Sequence, residues 1–244
     1  MAIAFDATSK SGTGTFTTTA TWSHTITGTD TYLVVFLDDE SGDGAVSVTY
    51  NGVAMTQLIK LNLSGTGIYQ YMYGLANPAT GVNNVVATLT GGHAGFALAT
   101  SYSGAQQTTP ADATVSNTSA STSSPFTTTI TTLADNCWTI MGSRSNIGAS
   151  AGTGSTFRNS RSGADGNDHG IYDSNGAITP AGNYSMGLTF SGTAAPIGTV
   201  MVSIAPVAPS GPANMKTYNT NPKANVKSID TNLIANVKTF DTNA

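Results

Sequence analysis

The side chains able to do chemistry are few and scattered. Three histidines, His24, His93 and His169, lie far apart, and a single cysteine, Cys137, stands alone. None of the close His–His or Cys–His spacings of a zinc site joins them, and one cysteine allows no intrachain disulfide. Two segments concentrate oxygen ligands instead. "LDDESGDG" (37–44) gathers Asp38, Asp39, Glu40 and Asp43 in a turn. "GADGNDHG" (163–170) begins like a calcium loop through Asp165, Asn167 and Asp168. It departs from that pattern because His169 stands where a carboxylate or amide belongs, and no glutamate follows at the twelfth position. Calcium is the one cofactor either segment could take. A solvated turn is the simpler reading of both, so no cofactor is expected.

Other chemistries find less support. Glu40 is the only glutamate, which makes a paired-carboxylate hydrolase unattractive. "GTGS" (152–155) lacks the Lys-Ser/Thr of a phosphate loop. Arg144, Arg158 and Arg161 flank a Gly-rich region and could hold an acidic sugar, but surface solubility is the default reading for such residues on loops. Tyr69, Tyr71 and Tyr73 alternate, so they share one face of a strand. They could form a sugar platform, although a core or subunit interface is the preferred reading. With no catalytic constellation, the chain is not expected to be an enzyme.

The elements that would carry these residues read as strands. Charged residues make up only 9% of the 244, with Thr, Ser, Gly and Asn in their place. Thr-rich, uncharged sequence favours strands and turns, because β-branched side chains lose rotamer freedom on a helix. "TYLVVFL" (31–37) has the continuous apolar run of a strand covered on both faces. "AVSVTY-NG-VAMTQLIKL" (45–61) has an Asn51-Gly52 turn between alternating flanks, the signature of a hairpin. "IYQYMYGL", "VNNVVATLT", "FALATSYSG", "NCWTIMGS", "NYSMGLTFSG" and "IGTVMVSIAPV" continue the series, while 148–170 reads as long loops. About ten strands and no helix point to a β-sandwich.

The phrases "VTYNGVAMT", "L-x-NPATG" and "SG-x-x-QTTP", in this order, resemble a jelly-roll-type β-sandwich module of phage structural proteins and bacterial surface proteins. The resemblance covers roughly residues 3–206. It implies an all-β, jelly-roll-like antiparallel sandwich with a virion or surface structural role, and it carries no catalytic residues to transfer.

"APVAPSGPA" (205–213) places prolines three residues apart, as in an extended, semi-rigid linker. The expected organisation is a β-sandwich over 1–206, a Pro-rich linker over 207–213 and a repeat arm over 214–244. The arm repeats every eleven residues: Asn214-Met-Lys-Thr-Tyr, Asn225-Val-Lys-Ser-Ile, Asn236-Val-Lys-Thr-Phe. It too is similar to terminal repeats of phage proteins. An eleven-residue apolar period suits a right-handed coiled coil. The Asn, Thr and Asp content and Pro222 favour extended segments with turns, which is the preferred reading. In either form Met215, Tyr218, Val226, Ile229, Leu233, Val237 and Phe240 need a partner surface, because so short an array cannot bury them alone.

Charge is divided. Residues 1–206 carry five basic and eleven acidic side chains, and 207–244 carry four lysines and two aspartates. The net −4 presents no global basic field for nucleic acid. No segment is apolar and long enough to span a membrane as a helix. "MAIAFDATSK" lacks the basic and apolar regions of a secretory signal. The expectation is a bacteriophage-like virion protein (capsid decoration, tail or fibre), assembled in the host cytoplasm with copies of itself or other virion proteins. The alternative is an extracellular adhesion or carbohydrate-binding module, calcium-dependent or not, acting on a cell-surface glycan.

Overall fold

The computed structural model describes residues 1–12, 15–63, 66–162 and 167–208. Most of the linker, all of the repeat arm and Asp165 lie outside the described residues. So do the assembly positions Met215, Tyr218, Val226, Ile229, Leu233, Val237 and Phe240. Residues Met1–Ala208 form one compact unit.

Its first half contains β1 (Ala4–Lys10), β2 (Thr19–Ile26), β3 (Tyr32–Asp39), β4 (Ala45–Tyr50), β5 (Val53–Ala54), β6 (Thr56–Asn62), β7 (Tyr69–Ala76), β8 (Gly81–Leu89) and β9 (Gly95–Ser103). The second contains β10 (Ala111–Ser119), β11 (Phe126–Thr131), β12 (Trp138–Ser145), β13 (Ser150–Ala151), β14 (Thr156–Ser162), β15 (Asp168–Asp173), β16 (Asn183–Thr189) and β17 (Ile197–Ile204). No helix occurs among the described residues.

The two halves repeat one topology. An inner sheet runs β1-β9-β3-β7-β6 in the first half and β10-β17-β12-β15-β14 in the second. An outer sheet runs β2-β8-β4-β5 in the first and β11-β16-β13 in the second. Matching β1 to β10, β3 to β12, β7 to β15 and β9 to β17 superposes the two orders term by term. Each half is a jelly roll, with every strand pair antiparallel. In the first half, β5 pairs with the outer sheet and β6 with the inner, so one strand changes sheet at Met55. The Asn51-Gly52 turn has the two positive φ angles, 48° and 77°, that its residue types are suited to.

The sheets stack in four layers, outer–inner–inner–outer, with three apolar seams. Trp22, Val48, Tyr50 and Val85 of the first outer sheet meet Leu33, Val35 and Leu37 of β3. The opposite face of β3, Val34 and Phe36, meets Ile140, Ile171, Val200 and Val202 of the second half. Phe126, Ile130, Met186 and Leu188 of the second outer sheet meet Met141, Tyr172 and Met201. A strand buried on both faces needs an unbroken apolar run, and "YLVVFL" is that run.

The inner sheets face each other in reversed order, β1 over β14 and β6 over β10, about a pseudo-two-fold axis. Close to it, the Phe36 ring fills the space a side chain at residue 142 would take. A Cβ added to Gly142 would overlap that ring.

The region 148–170, expected to be loops, instead contributes β13, β14 and β15. Of these, β14 forms the edge of the second inner sheet, where half-burial does not demand an apolar sequence. β15 lies inside that sheet and is buried throughout, its polar residues held by hydrogen-bonding partners. The short β13 pairs with β16 of the outer sheet. The body's last described residues return to its start. Val207 donates its N–H to Gly104 at 2.9 Å, and the Met1 amino group donates to the Val207 carbonyl at 3.4 Å.

Candidate functional site

At its C-terminal end β3 turns abruptly from apolar to acidic. Strand alternation sends Asp39 toward the first outer sheet, and Asp38 and Glu40 toward the second half. Asp39 is absorbed by its own turn, accepting the Ser41 and Gly44 N–H groups at 3.1 and 2.9 Å and facing His93 Nδ1 at 2.8 Å. Asp38 and Glu40 enter the seam between the inner sheets. There they meet the pseudo-symmetric positions of the other half: Asp38 pairs in register with Gln70, and Arg144 pairs with His169.

The resulting cluster is buried and closely bonded. His169 Nε2 lies 3.2 Å from Asp38 Oδ2 and 3.1 Å from Glu40 Oε1. Its Nδ1 faces the Arg161 carbonyl at 3.2 Å. Arg144 grips Glu40 with two parallel bonds of 2.8 Å, Nε to Oε1 and Nη2 to Oε2, and donates Nη1 to the Pro196 carbonyl. Asn167 donates to Glu40 Oε2 at 3.4 Å. The His169 ring stacks on Phe96 at 4.1 Å and 14°, and the Arg161 guanidinium lies 4.4 Å over the same ring. Asp38 and His169 are fully enclosed, while the Glu40 side chain keeps 11% exposure and marks the rim.

Burial and pairing act in opposite directions here. Burial, the largest effect on Asp38, outweighs its His169 bond and pushes the carboxyl up to about 6. Burial also acts to raise Glu40, but the bonds from His169 and Arg144 overcome it and hold the carboxyl down at about 2. Burial alone would lower His169; its bonds to Asp38 and Glu40 win and raise it to about 9. Removing one partner would strand a buried charge, the costly way to break such a network.

A second polar set ties the opposite side of the same seam. Arg158 Nε donates to Asp173 Oδ2 at 2.6 Å, Tyr102 donates to the same oxygen at 3.0 Å, and the Arg158 guanidinium lies 4.2 Å over Phe5. Thus Arg144, Arg158 and Arg161, read from the sequence as surface-solubility residues, are instead spent inside the molecule. Arg144 and Arg161 are each only 4% exposed. Of the three tyrosines, Tyr71 and Tyr73 are buried in the first core, as preferred, and Tyr69 packs partly buried against it. The tyrosine face therefore offers no open sugar platform.

His24 belongs to a separate chain of bonds. Trp22 Nε1 donates to Ser9 Oγ at 3.0 Å, Ser9 Oγ lies 2.8 Å from His24 Nδ1, and His24 Nε2 lies 3.0 Å from Ser101 Oγ. Ser101 then donates to Asp6 at 2.7 Å. Burial pushes His24 down to about 4, with Asp6 opposing. Gly148-Ala-Ser150-Ala-Gly152 carries the Gly-x-Ser-x-Gly spacing of a nucleophile elbow. Ser150, however, lies on the short β13 paired with Thr189, not on a strand-to-helix turn.

The two acidic segments flagged separately in the sequence are thus neighbours in space, "LDDESGDG" through Asp38 and Glu40, "GADGNDHG" through Asn167 and His169. Asp43 lies outside the cluster, bonded to Lys60 and accepting from Tyr71 at 2.7 Å. Asp168 turns toward the backbone of Ala149. Three groups that can donate a lone pair, Asp38, Glu40 and His169, lie within 4.8 Å of one another. His169, the residue that spoiled the calcium-loop pattern, joins the segments through both Asp38 and Glu40.

No family model matches this chain, and neither the curated proteins nor the solved structures provide a match.

Proposed function

We propose that this chain is a non-enzymatic structural protein of a bacteriophage-like virion, a capsid decoration, tail or fibre component, whose C-terminal repeat arm mediates subunit assembly. The observation that carries the reading is the self-contained double jelly roll. Its three seams consume the large apolar side chains of the body. Among the described residues the large hydrophobics left exposed are Met1, Val53, Val82, Leu133 and Phe157. Single exposed apolar residues are ordinary on a soluble surface.

The arm carries further apolar side chains of its own. Met215, Val226 and Val237 recur every eleven residues, as do Tyr218, Ile229 and Phe240, with Leu233 between them, as an assembly segment requires. Jelly rolls serve in capsids and also in lectins, so the fold alone does not decide between these classes. The hairpin and turn phrases resemble modules of both phage structural and bacterial surface proteins, and the likeness of the eleven-residue arm to terminal repeats of phage proteins favours the capsid side.

The test is truncation after Ala208, which keeps the Val207–Gly104 bond. The truncated body is expected to remain folded by circular dichroism and to show a lower mass than the full chain by light scattering. An oligomeric full chain whose mass is unchanged by truncation would refute the arm's role.

A further inference from the structure

We infer that Asp38, Glu40 and His169 form a binding site for a first-row divalent cation such as Zn2+ or Mn2+, placed between the two jelly rolls. Its first support is the convergence of lone pairs. A neutral imidazole has one N–H. His169 Nδ1 faces a carbonyl, which can only accept, so the hydrogen belongs there. The Nε2 lone pair then points at two carboxylates. Whatever lies at that meeting point must be positive, a ring proton or a metal ion.

The distances fit a metal. A single N–H donating to a carboxylate as a charge-assisted bond closes to about 2.7–2.9 Å. Here both separations are longer, 3.2 and 3.1 Å. Ligand atoms held ~2.1 Å from one cation lie about 3.0–3.4 Å apart in octahedral or tetrahedral geometry. The observed spacing falls in that range.

An independent observation points the same way. Asp38 is fully buried, yet its Oδ1 has no hydrogen-bond partner among the described residues. A proton on Nε2 reaches only Oδ2, whereas a metal ion held by both oxygens of the Asp38 carboxylate would engage Oδ1 as well.

The surroundings have the organisation that metal ligands need. A ligating histidine ordinarily donates its other N–H to a carbonyl or carboxylate, which fixes its orientation. The Arg161 carbonyl does this for His169, and Phe96 fixes the ring plane. The paired Arg144 bonds fix the orientation of the Glu40 carboxylate, with Oε1 taking Arg144 on one side and facing His169 on the other. An imidazole with two carboxylates suits a borderline ion better than Ca2+ or Mg2+, which prefer oxygen alone. Glu40 and Asp38 come from the first jelly roll and His169 from the second, so bound metal would cross-link them. The site is independent of the assembly role and would stand if the arm proved unnecessary for assembly.

The test uses the untagged full chain, stripped with a chelator and titrated with Zn2+, Mn2+ or Ca2+ by calorimetry, with bound metal counted by elemental analysis. Stoichiometric Zn2+ or Mn2+ binding is expected, with Ca2+ at least ~100-fold weaker. Glu40→Gln and His169→Gln should each weaken Zn2+ binding by at least ~100-fold, the upper range for losing even a supporting group. Since either change could loosen the seam, the unaltered protein provides a second readout. Zn2+ should shift the imidazole nitrogen resonances of His169 and leave those of His24 and His93 in place. Absence of stoichiometric uptake, retention in both variants, preference for Ca2+, or a shift confined to His93 or His24 would each overturn the inference.

Discussion

His24 shows how one buried side chain contributes to the response of the molecule to acid. It sits between Ser9 and Ser101 with both ring nitrogens engaged. Burial lowers it from the ordinary 6.5 to about 4. As pH falls, the unfolded chain therefore takes up this proton first. The stability due to a neutral His24 is complete above pH 6.5 and is lost progressively down to about pH 4. The total is about 3 kcal/mol for a separation of this size. Denaturant unfolding should show a His24→Gln variant losing less stability than the native protein between pH 6.5 and 4. Both proteins share the opposing effect of Asp38, whose rise to about 6 adds stability as pH falls through the same window. An unchanged slope in the variant would place the acid sensitivity elsewhere.

At the scale of elements, β3 and β12 are the strands on which the whole stack turns. Each is covered on both faces, and they approach each other where Phe36 meets Gly142. Gly142→Val should force the ring aside and destabilise the fold by about 1–3 kcal/mol, the usual cost of overpacking. Phe36→Ala should cost about 3–5 kcal/mol as a cavity mutation. Because the two residues compete for one space, the double variant should be more stable than the sum of the single effects predicts. Strict additivity in denaturant melts would contradict that contact. β3 was legible from sequence because burial on both faces leaves an unbroken apolar run. β14 and β15 were not legible. Their half-buried or charge-bearing residues, such as Arg161 and His169, carry no simple period and resemble loop sequence. The same reason hid the charged cluster. Its acidic halves stood out as two short segments, but their meeting depends on how one jelly roll packs on another, which local spacing does not encode.

For the molecule as a whole, two copies of one topology related by a pseudo-two-fold axis behave like a dimer joined into a single chain. A true symmetric dimer must place the same residue at both related positions. Here the chain places Asp38 opposite the role of Arg144, and Gln70 opposite that of His169. Fusion allows unlike charges where identity would have set like against like. The all-β sandwich character was readable from strand count and turn signals. The doubling was not, since the halves share strand order without an obvious repeat in sequence. The arm's eleven-residue period has the opposite character, plain in sequence and outside the described structure.

The meeting of Met1 with Val207 means that the order in which the two jelly rolls are read along the chain is not essential to their arrangement. A short tether from Ala208 back to Met1 would close the body into a ring. The exposed segment at Thr108 and Thr109 could then become its new opening. Such a circular permutant, second jelly roll first, is expected to keep the sheet signature in circular dichroism and to melt cooperatively near the parent body. Failure to fold would show that the first jelly roll must form before the second can dock, making synthesis order part of how this protein reaches its structure.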